Sequence, residues 1–262
     1  QDTNLLITLD ISGSMLTFAS GDAGATRLDT AIAAIKSLID SYASFGDVRI
    51  EFVTFSDTAT GQSPSKWLTK SEMLTVLDLI ERRDENGDLV PGAIAAGGDT
   101  NYDAALLASQ TAFSANGALS AAQNVSYFFS DGNPTRPDGS DGSVGMSPAE
   151  EPAWTNFLSS NQMTSYAIGM TTEVSQSNLN PIAWDTTKGT AANAFVVTDL
   201  TALNQVVQGT VPLPQGDLVT GGKIGEGALV GADGGFIKSV SIDGVSYTLP
   251  VVTSSNVIAS NR

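Results

Sequence analysis

Strand-length apolar stretches alternate with helical patterns along most of this chain, and that alternation most constrains its fold. Residues 4–10 read as a buried strand ending in an acid, and residues 27–45 as a helix with Leu28, Ile32, Ile35, Leu38, Ile39 and Tyr42 at spacings of three and four. A strand is expected over 47–56, with 65–69 as a candidate partner. A helix from about Ser71 to Arg83 follows, opened by the capping box of Thr69 and Glu72. The pattern continues with a helix over 102–115, a strand over 124–130, a helix near 149–160, a strand over 164–169, a short helix near 175–184, a strand over 194–198 and a last helix near 200–208. Such alternation predicts a doubly wound α/β domain, a mostly parallel central sheet with helices on both faces. Ligands of such sheets bind beyond the carboxyl ends of the strands.

After Thr210 the helical periodicity stops. Residues 236–242 and 245–251, joined by Asp243-Gly244, carry a hairpin signal. We therefore expect a main domain over 1–210 and a small β extension, or the start of a further module, over 211–262. No apolar run approaches the ~20 residues that cross a bilayer. No basic-then-apolar leader opens the chain, so it reads as a module of a longer protein.

Among its 262 residues the chain has no cysteine and no histidine. Thiolate chemistry, imidazole bases and most zinc or copper sites are thereby removed. Any metal must be held by oxygen, which points to magnesium, calcium or manganese. Twelve basic against 28 acidic residues give a net charge of −16. Phosphate neutralisation needs basic clusters, so nucleic acid is not an expected partner. The acidity alone is explained by solubility, with a calcium-rich exterior as the sharper alternative.

The most specific feature is Asp10-Ile-Ser12-Gly-Ser14, three oxygen-bearing side chains at alternate positions leaving the first strand. Gly13 is expected to permit a tight turn there. Thr100, in Gly97-Gly-Asp-Thr-Asn101, precedes a helix, and Asp131, in Phe129-Ser-Asp-Gly-Asn133, ends a strand. Taken singly, each is explained as a turn or a helix cap. Their coincidence in three segments favours metal binding.

In order and spacing these residues resemble the metal-ion-dependent adhesion site (MIDAS) of the von Willebrand factor A family, whose first motif is Asp-x-Ser-x-Ser. The resemblance covers roughly residues 1–210. It implies a Rossmann-like fold and one divalent cation, calcium favoured over magnesium, held by Asp10, Ser12, Ser14, Thr100 and Asp131. It also implies adhesion to an extracellular protein carboxylate or glycan, with a protein-assembly module lacking an adhesive role as the alternative. No catalytic residues are assigned. Asp22, Asp99, Asn101, Asn133, Asp138 and Asp141 are expected on the ligand-binding surface. The loops 17–26 and 133–147 look like additions beside the metal, with Asp138 and Asp141 candidates for a further calcium. The C-terminal segment Val230-Gly-Ala-Asp-Gly-Gly235 with Ser241-Ile-Asp-Gly-Val-Ser-Tyr247 resembles those near the ends of large bacterial repeats-in-toxin adhesins. That implies a secreted, surface-located multidomain chain exported by type I secretion.

Overall fold

A computed structural model describes residues 1–19, 24–137, 142–191 and 194–212, together with the backbone of 239–242 and 245–248. The chain divides into two units, Gln1–Pro212 and Leu213–Arg262.

In the first unit a six-stranded sheet has the order β3-β2-β1-β4-β5-β6. Its strands are β1 (Thr3–Asp10), β2 (Val48–Phe55), β3 (Ala59–Gly61), β4 (Gln123–Ser130), β5 (Met163–Met170) and β6 (Ala194–Val197). All neighbours run parallel except the antiparallel edge strand β3. The helices are α1 (Arg27–Ala43), α2 (Lys70–Leu77), α3 (Tyr102–Phe113), α4 (Glu151–Ser160), α5 (Gln176–Leu179) and α6 (Leu203–Gln208).

β1 lies at the centre, and all eight of its residues are buried. Successive side chains point to opposite faces. Leu5, Ile7 and Leu9 join Leu28, Ile35, Leu38 and Ile39 of α1 and Leu203 of α6 in one core. Leu6 joins Tyr102 and Leu106 of α3, Trp154 of α4 and Leu179 of α5 in the other. Helices thus cover both faces, and each fully buried apolar side chain contributes about 1.5–3 kcal/mol. Two buried tyrosine hydroxyls are paired within the core. Tyr127 of β4 bonds to Tyr42 of α1 at 3.0 Å and to the Thr210 hydroxyl at 2.7 Å.

Three elements depart from the sequence expectation. The partner of β2 is 59–61 rather than 65–69, of which Leu68 alone exchanges backbone bonds with Ile50. α2 has its capping box but ends at Leu77 rather than near 83. Beyond it the Leu79 carbonyl accepts from the Ile94 N–H, and the Glu81 N–H donates to the Ile94 carbonyl, both at 2.9 Å, so this backbone bonds across the chain instead of along a helix. α5 is one turn, because Trp184 pairs with Ser165 beside β5. In the second unit β7 (Ser239–Ile242) and β8 (Val245–Thr248) pair antiparallel, and the turn at 243–244 lies outside the described residues.

Glu51 of β2 is fully buried, and among the described residues neither carboxylate oxygen has a hydrogen-bond partner. Burial pushes its carboxyl up to about 8. A raised folded-state value means that its neutral form is favoured by folding. The stability is therefore fully present below the ordinary carboxyl range and is lost as pH rises towards 8. Replacing a buried unpaired polar group by an apolar one of similar shape is neutral to stabilising. Glu51→Met should raise unfolding free energy at pH 8 by about 1–3 kcal/mol. It should also flatten the loss between pH 5 and 8 relative to wild type in urea titrations. Destabilisation at pH 8 would show that Glu51 has a partner.

Candidate metal centre

β1 and β4 are parallel neighbours, so Asp10, the last residue of β1, and Asp131, the residue after β4, emerge side by side at one end of the sheet. Asp10 and Asp131 are both fully buried. The Ser130 hydroxyl donates to Asp10 Oδ2 at 2.6 Å, and the Ser12 N–H donates to Asp10 Oδ1 at 2.8 Å. After Ser12 the chain makes one turn of 3-10 helix, Gly13–Leu16. Ser14 Oγ donates to Asp131 Oδ1 at 2.7 Å and lies 3.2 Å from Ser12 Oγ. Four of the five expected ligands therefore form one connected group.

Thr100 joins them through backbone. The Gly97 N–H donates to the Ile11 carbonyl at 2.7 Å, and the Gly13 N–H donates to the Gly98 carbonyl at 3.0 Å. The Thr100 N–H donates to Thr135 Oγ1 at 3.0 Å, and its carbonyl accepts from the N–H groups of Thr135 and Arg136. Thr100 is 5% exposed, and among the described residues its hydroxyl makes no hydrogen bond. Tyr102 closes the arrangement from α3, its hydroxyl donating to the Gly132 carbonyl at 2.8 Å.

Two buried acids and three hydroxyls fit a hard divalent cation, which prefers oxygen donors. Among the described residues no three His, Cys, Asp or Glu side chains cluster as a metal site, so a cation here has to draw on hydroxyls. The electrostatics point the same way. Burial, and secondarily the charge of Asp131, hold the Asp10 carboxyl up at about 7, against the lowering effect of its bonds from Ser130 and Ser12. A positive charge is what two such neighbours lack. Arg27, the first residue of α1, supplies part of it. Its Nη1 lies 2.7 Å from Asp131 Oδ2 and 2.9 Å from Glu173 Oε2.

The expected ligand surface divides. Asp99 is exposed and pairs with Arg136 at 3.1 Å, which also binds Asp57 at 2.7 Å. Asn133 is exposed, but its side-chain carbonyl accepts from the Ser175 N–H and Asn178 Nδ2, holding its loop against α5. Asn101 is a correction. It is 2% exposed, it is the residue that caps α3 through the Ala104 N–H, and its amide donates to the Asp57 carbonyl, so it faces inward. Asp22, Asp138 and Asp141, and with the latter two the further calcium site, lie outside the described residues. Arg27, Ser130, Glu173 and Tyr102 were not anticipated. Arg27 left one sequence signal, a cation in a helix's first turn, where the dipole disfavours it.

Residues 5–133 match the family model of the von Willebrand factor type A domain. Proximal thread matrix protein 1 from the mussel byssus, solved with a zinc-occupied MIDAS motif, is similar at 15% identity and a TM-score of 0.56, over 80% of this chain and 47% of that one. A von Willebrand factor type A structure from Catenulispora acidiphila matches at 17% identity and a TM-score of 0.51, over 80% and 41%. A variant of the PilB minor pilin from Streptococcus sanguinis matches at 14% identity and 0.52, over 79% and 60%. This chain thus spans about half the length of the byssus structure it matches. No curated protein matches the sequence significantly. The family match covers just under half of the chain, and the structural likeness is one of fold, the mostly parallel sheet and flanking helices of von Willebrand factor A domains.

The glycine expected to matter does not carry the strain. A Cβ on Gly13 would meet the Gly98 carbonyl at 3.5 Å, an ordinary contact, and Gly13 is not in the left-handed region. Gly98 has φ +85°, and a Cβ there would lie 2.4 Å from Asp57 Oδ2. Gly98→Ala should cost about 1–3 kcal/mol in chemical denaturation, from backbone strain and displacement of Asp57. Gly13→Ala should stay within about 0.5 kcal/mol of wild type. Equal effects would contradict this assignment of the strain.

Proposed function

Starting from a von Willebrand factor A-type domain, we propose that Asp10, Ser12, Ser14, Thr100 and Asp131 hold one divalent cation and that the domain is an adhesion module. The observation that carries this reading is the continuous group from Asp131 through Ser14 and Ser12, beside the equally buried Asp10. A bound cation supplies a Lewis-acidic position for an incoming carboxylate or sugar hydroxyl. The chain's own residues do the rest. Ser130 and the Ser12 N–H fix the orientation of Asp10, and Ser14 fixes that of Asp131. The two carboxylates offset the divalent charge and the three neutral hydroxyls add no more negative charge, so the cation stays electron-poor for a ligand to meet.

Calcium suits this reading best, because a weak oxygen site of about 10⁻⁴–10⁻³ M suffices outside cells. The byssus matrix protein and the minor pilin support an extracellular role by likeness of fold. No helix among the described residues is long and apolar enough to cross a membrane. The C-terminal sequence motivates the further proposal that this is part of a longer repeats-in-toxin adhesin exported by type I secretion. With neither histidine nor cysteine near the site, we assign no catalytic group.

A cation that binds only the native state adds about 2.7 kcal/mol at 100 times its Kd. Thermal melts of the full chain in EDTA, magnesium and calcium should show that gain for wild type and none for Asp10→Asn. In EDTA the variant should melt at or above wild type, since it removes a buried carboxyl beside Asp131. Identical metal response in the two proteins would sink the site. A protein and glycan array probed with and without chelator tests adhesion, and retention of all ligands in EDTA would favour an assembly role without metal.

A further inference from the structure

Arg27 breaks a local rule. It occupies the first position of α1, where the N-terminal end of the helix dipole repels a cation and where acids are preferred. The helix already has an acid of its own there, since Asp29 completes the capping box with Thr26. Arg27 is nevertheless held in place. Its N–H donates to the Thr17 carbonyl at 2.9 Å, and its side chain is only 14% exposed. Nη1 bridges two acids of contrasting setting: Asp131, fully buried, at 2.7 Å, and Glu173, 59% exposed, at 2.9 Å. A second contact, Nη2 to Glu173 Oε1 at 3.4 Å, makes the Glu173 side of the fork two-pronged. Glu173 sits in the segment after β5, which is itself tied to the centre by the Thr171 hydroxyl, donating to the Asp131 carbonyl at 3.2 Å.

With Ser14 on Oδ1 and Arg27 on Oδ2, both oxygens of Asp131 are engaged. A divalent ion and a guanidinium would compete for the same carboxylate and would repel one another across it. We propose that Arg27 is a built-in counter-cation for Asp131, and that Glu173 is the place to which it withdraws when a divalent cation takes that carboxylate. The device rests on the metal reading above and deepens it. Arg27 keeps the buried acid neutralised while no metal is bound and thereby weakens metal affinity. Glu173 lessens that penalty by giving the displaced guanidinium a partner in solvent.

The signs of two substitutions separate this from a merely structural role. Calcium and magnesium chloride are titrated calorimetrically into the full chain, its Arg27→Gln variant and its Glu173→Gln variant. Arg27→Gln should bind metal at least about ten-fold more tightly than wild type. Its melting temperature in EDTA should fall, because Asp131 is left buried without a cation, and should rise more steeply with added metal. Glu173→Gln should bind metal several-fold more weakly, since Arg27 then has only Asp131. A scaffold role would make both variants weaker. Equal or weaker binding by Arg27→Gln, or tighter binding by Glu173→Gln, overturns the proposal while wild-type binding leaves the metal site standing. If neither wild type nor Arg27→Gln binds metal, the metal site and this inference both fall.

Discussion

Two carboxylates at adjacent strand ends, both removed from water, set the terms for everything around them. Asp10 and Asp131 belong to strands that are hydrogen-bonded neighbours, so the topology forces their acids together. Burial disfavours the charged form of Asp10, and the charge of Asp131 beside it adds to that cost. The surroundings answer with donors: Ser130 and the Ser12 backbone at Asp10, Ser14 and Arg27 at Asp131. One guanidinium for two carboxyls leaves the group short of positive charge. On the proposed reading, a divalent cation makes up that shortfall.

The fold is arranged to hold these loops in register. β1 is buried on both sides by cores that belong to different helices, so its carboxyl end has little freedom. The loop before α3 is bonded to the loop after β1 through Gly97 and Gly98, and to the loop after β4 through Thr100 and Thr135. α3 contributes twice more, since Tyr102 reaches Gly132 with its hydroxyl while its ring packs against Phe55 and Phe128 in the second core. Three loops from separate parts of the chain are thus tied together, and the side-chain oxygens of Ser12, Ser14 and Asp131 meet between two of them.

Much of this was legible in the sequence because it is periodic. Leu28 through Tyr42 of α1, and the apolar runs of β1 and β4, have no second solution once paired in a parallel sheet. The five oxygen-bearing residues were legible for a different reason: each lies at the end of such an element, where a doubly wound sheet puts its ligands. What was not legible depends on long-range pairing. Nothing local shows that Ile94 captures the backbone at Leu79 and Glu81 and so ends α2, or that Trp184 lies beside Ser165 rather than continuing α5. Asn101 reads as polar surface in sequence, yet helix capping turns it inward. Gly13 draws the eye because it sits inside the motif, whereas the backbone requirement falls on Gly98, set by Asp57 from 41 positions earlier. The role of Arg27 depends on Glu173 and Asp131, 146 and 104 residues away.

The central claim is that these five side chains share one cation. Crystals of the full chain soaked in manganese, with data collected near the manganese absorption edge, test it directly. The account predicts one anomalous peak bounded by the oxygens of Asp10, Ser12, Ser14, Thr100 and Asp131, directly or through water, with inner contacts of about 2.0–2.6 Å. A density map without that peak at saturating manganese, with Arg27 still on Asp131, would contradict it.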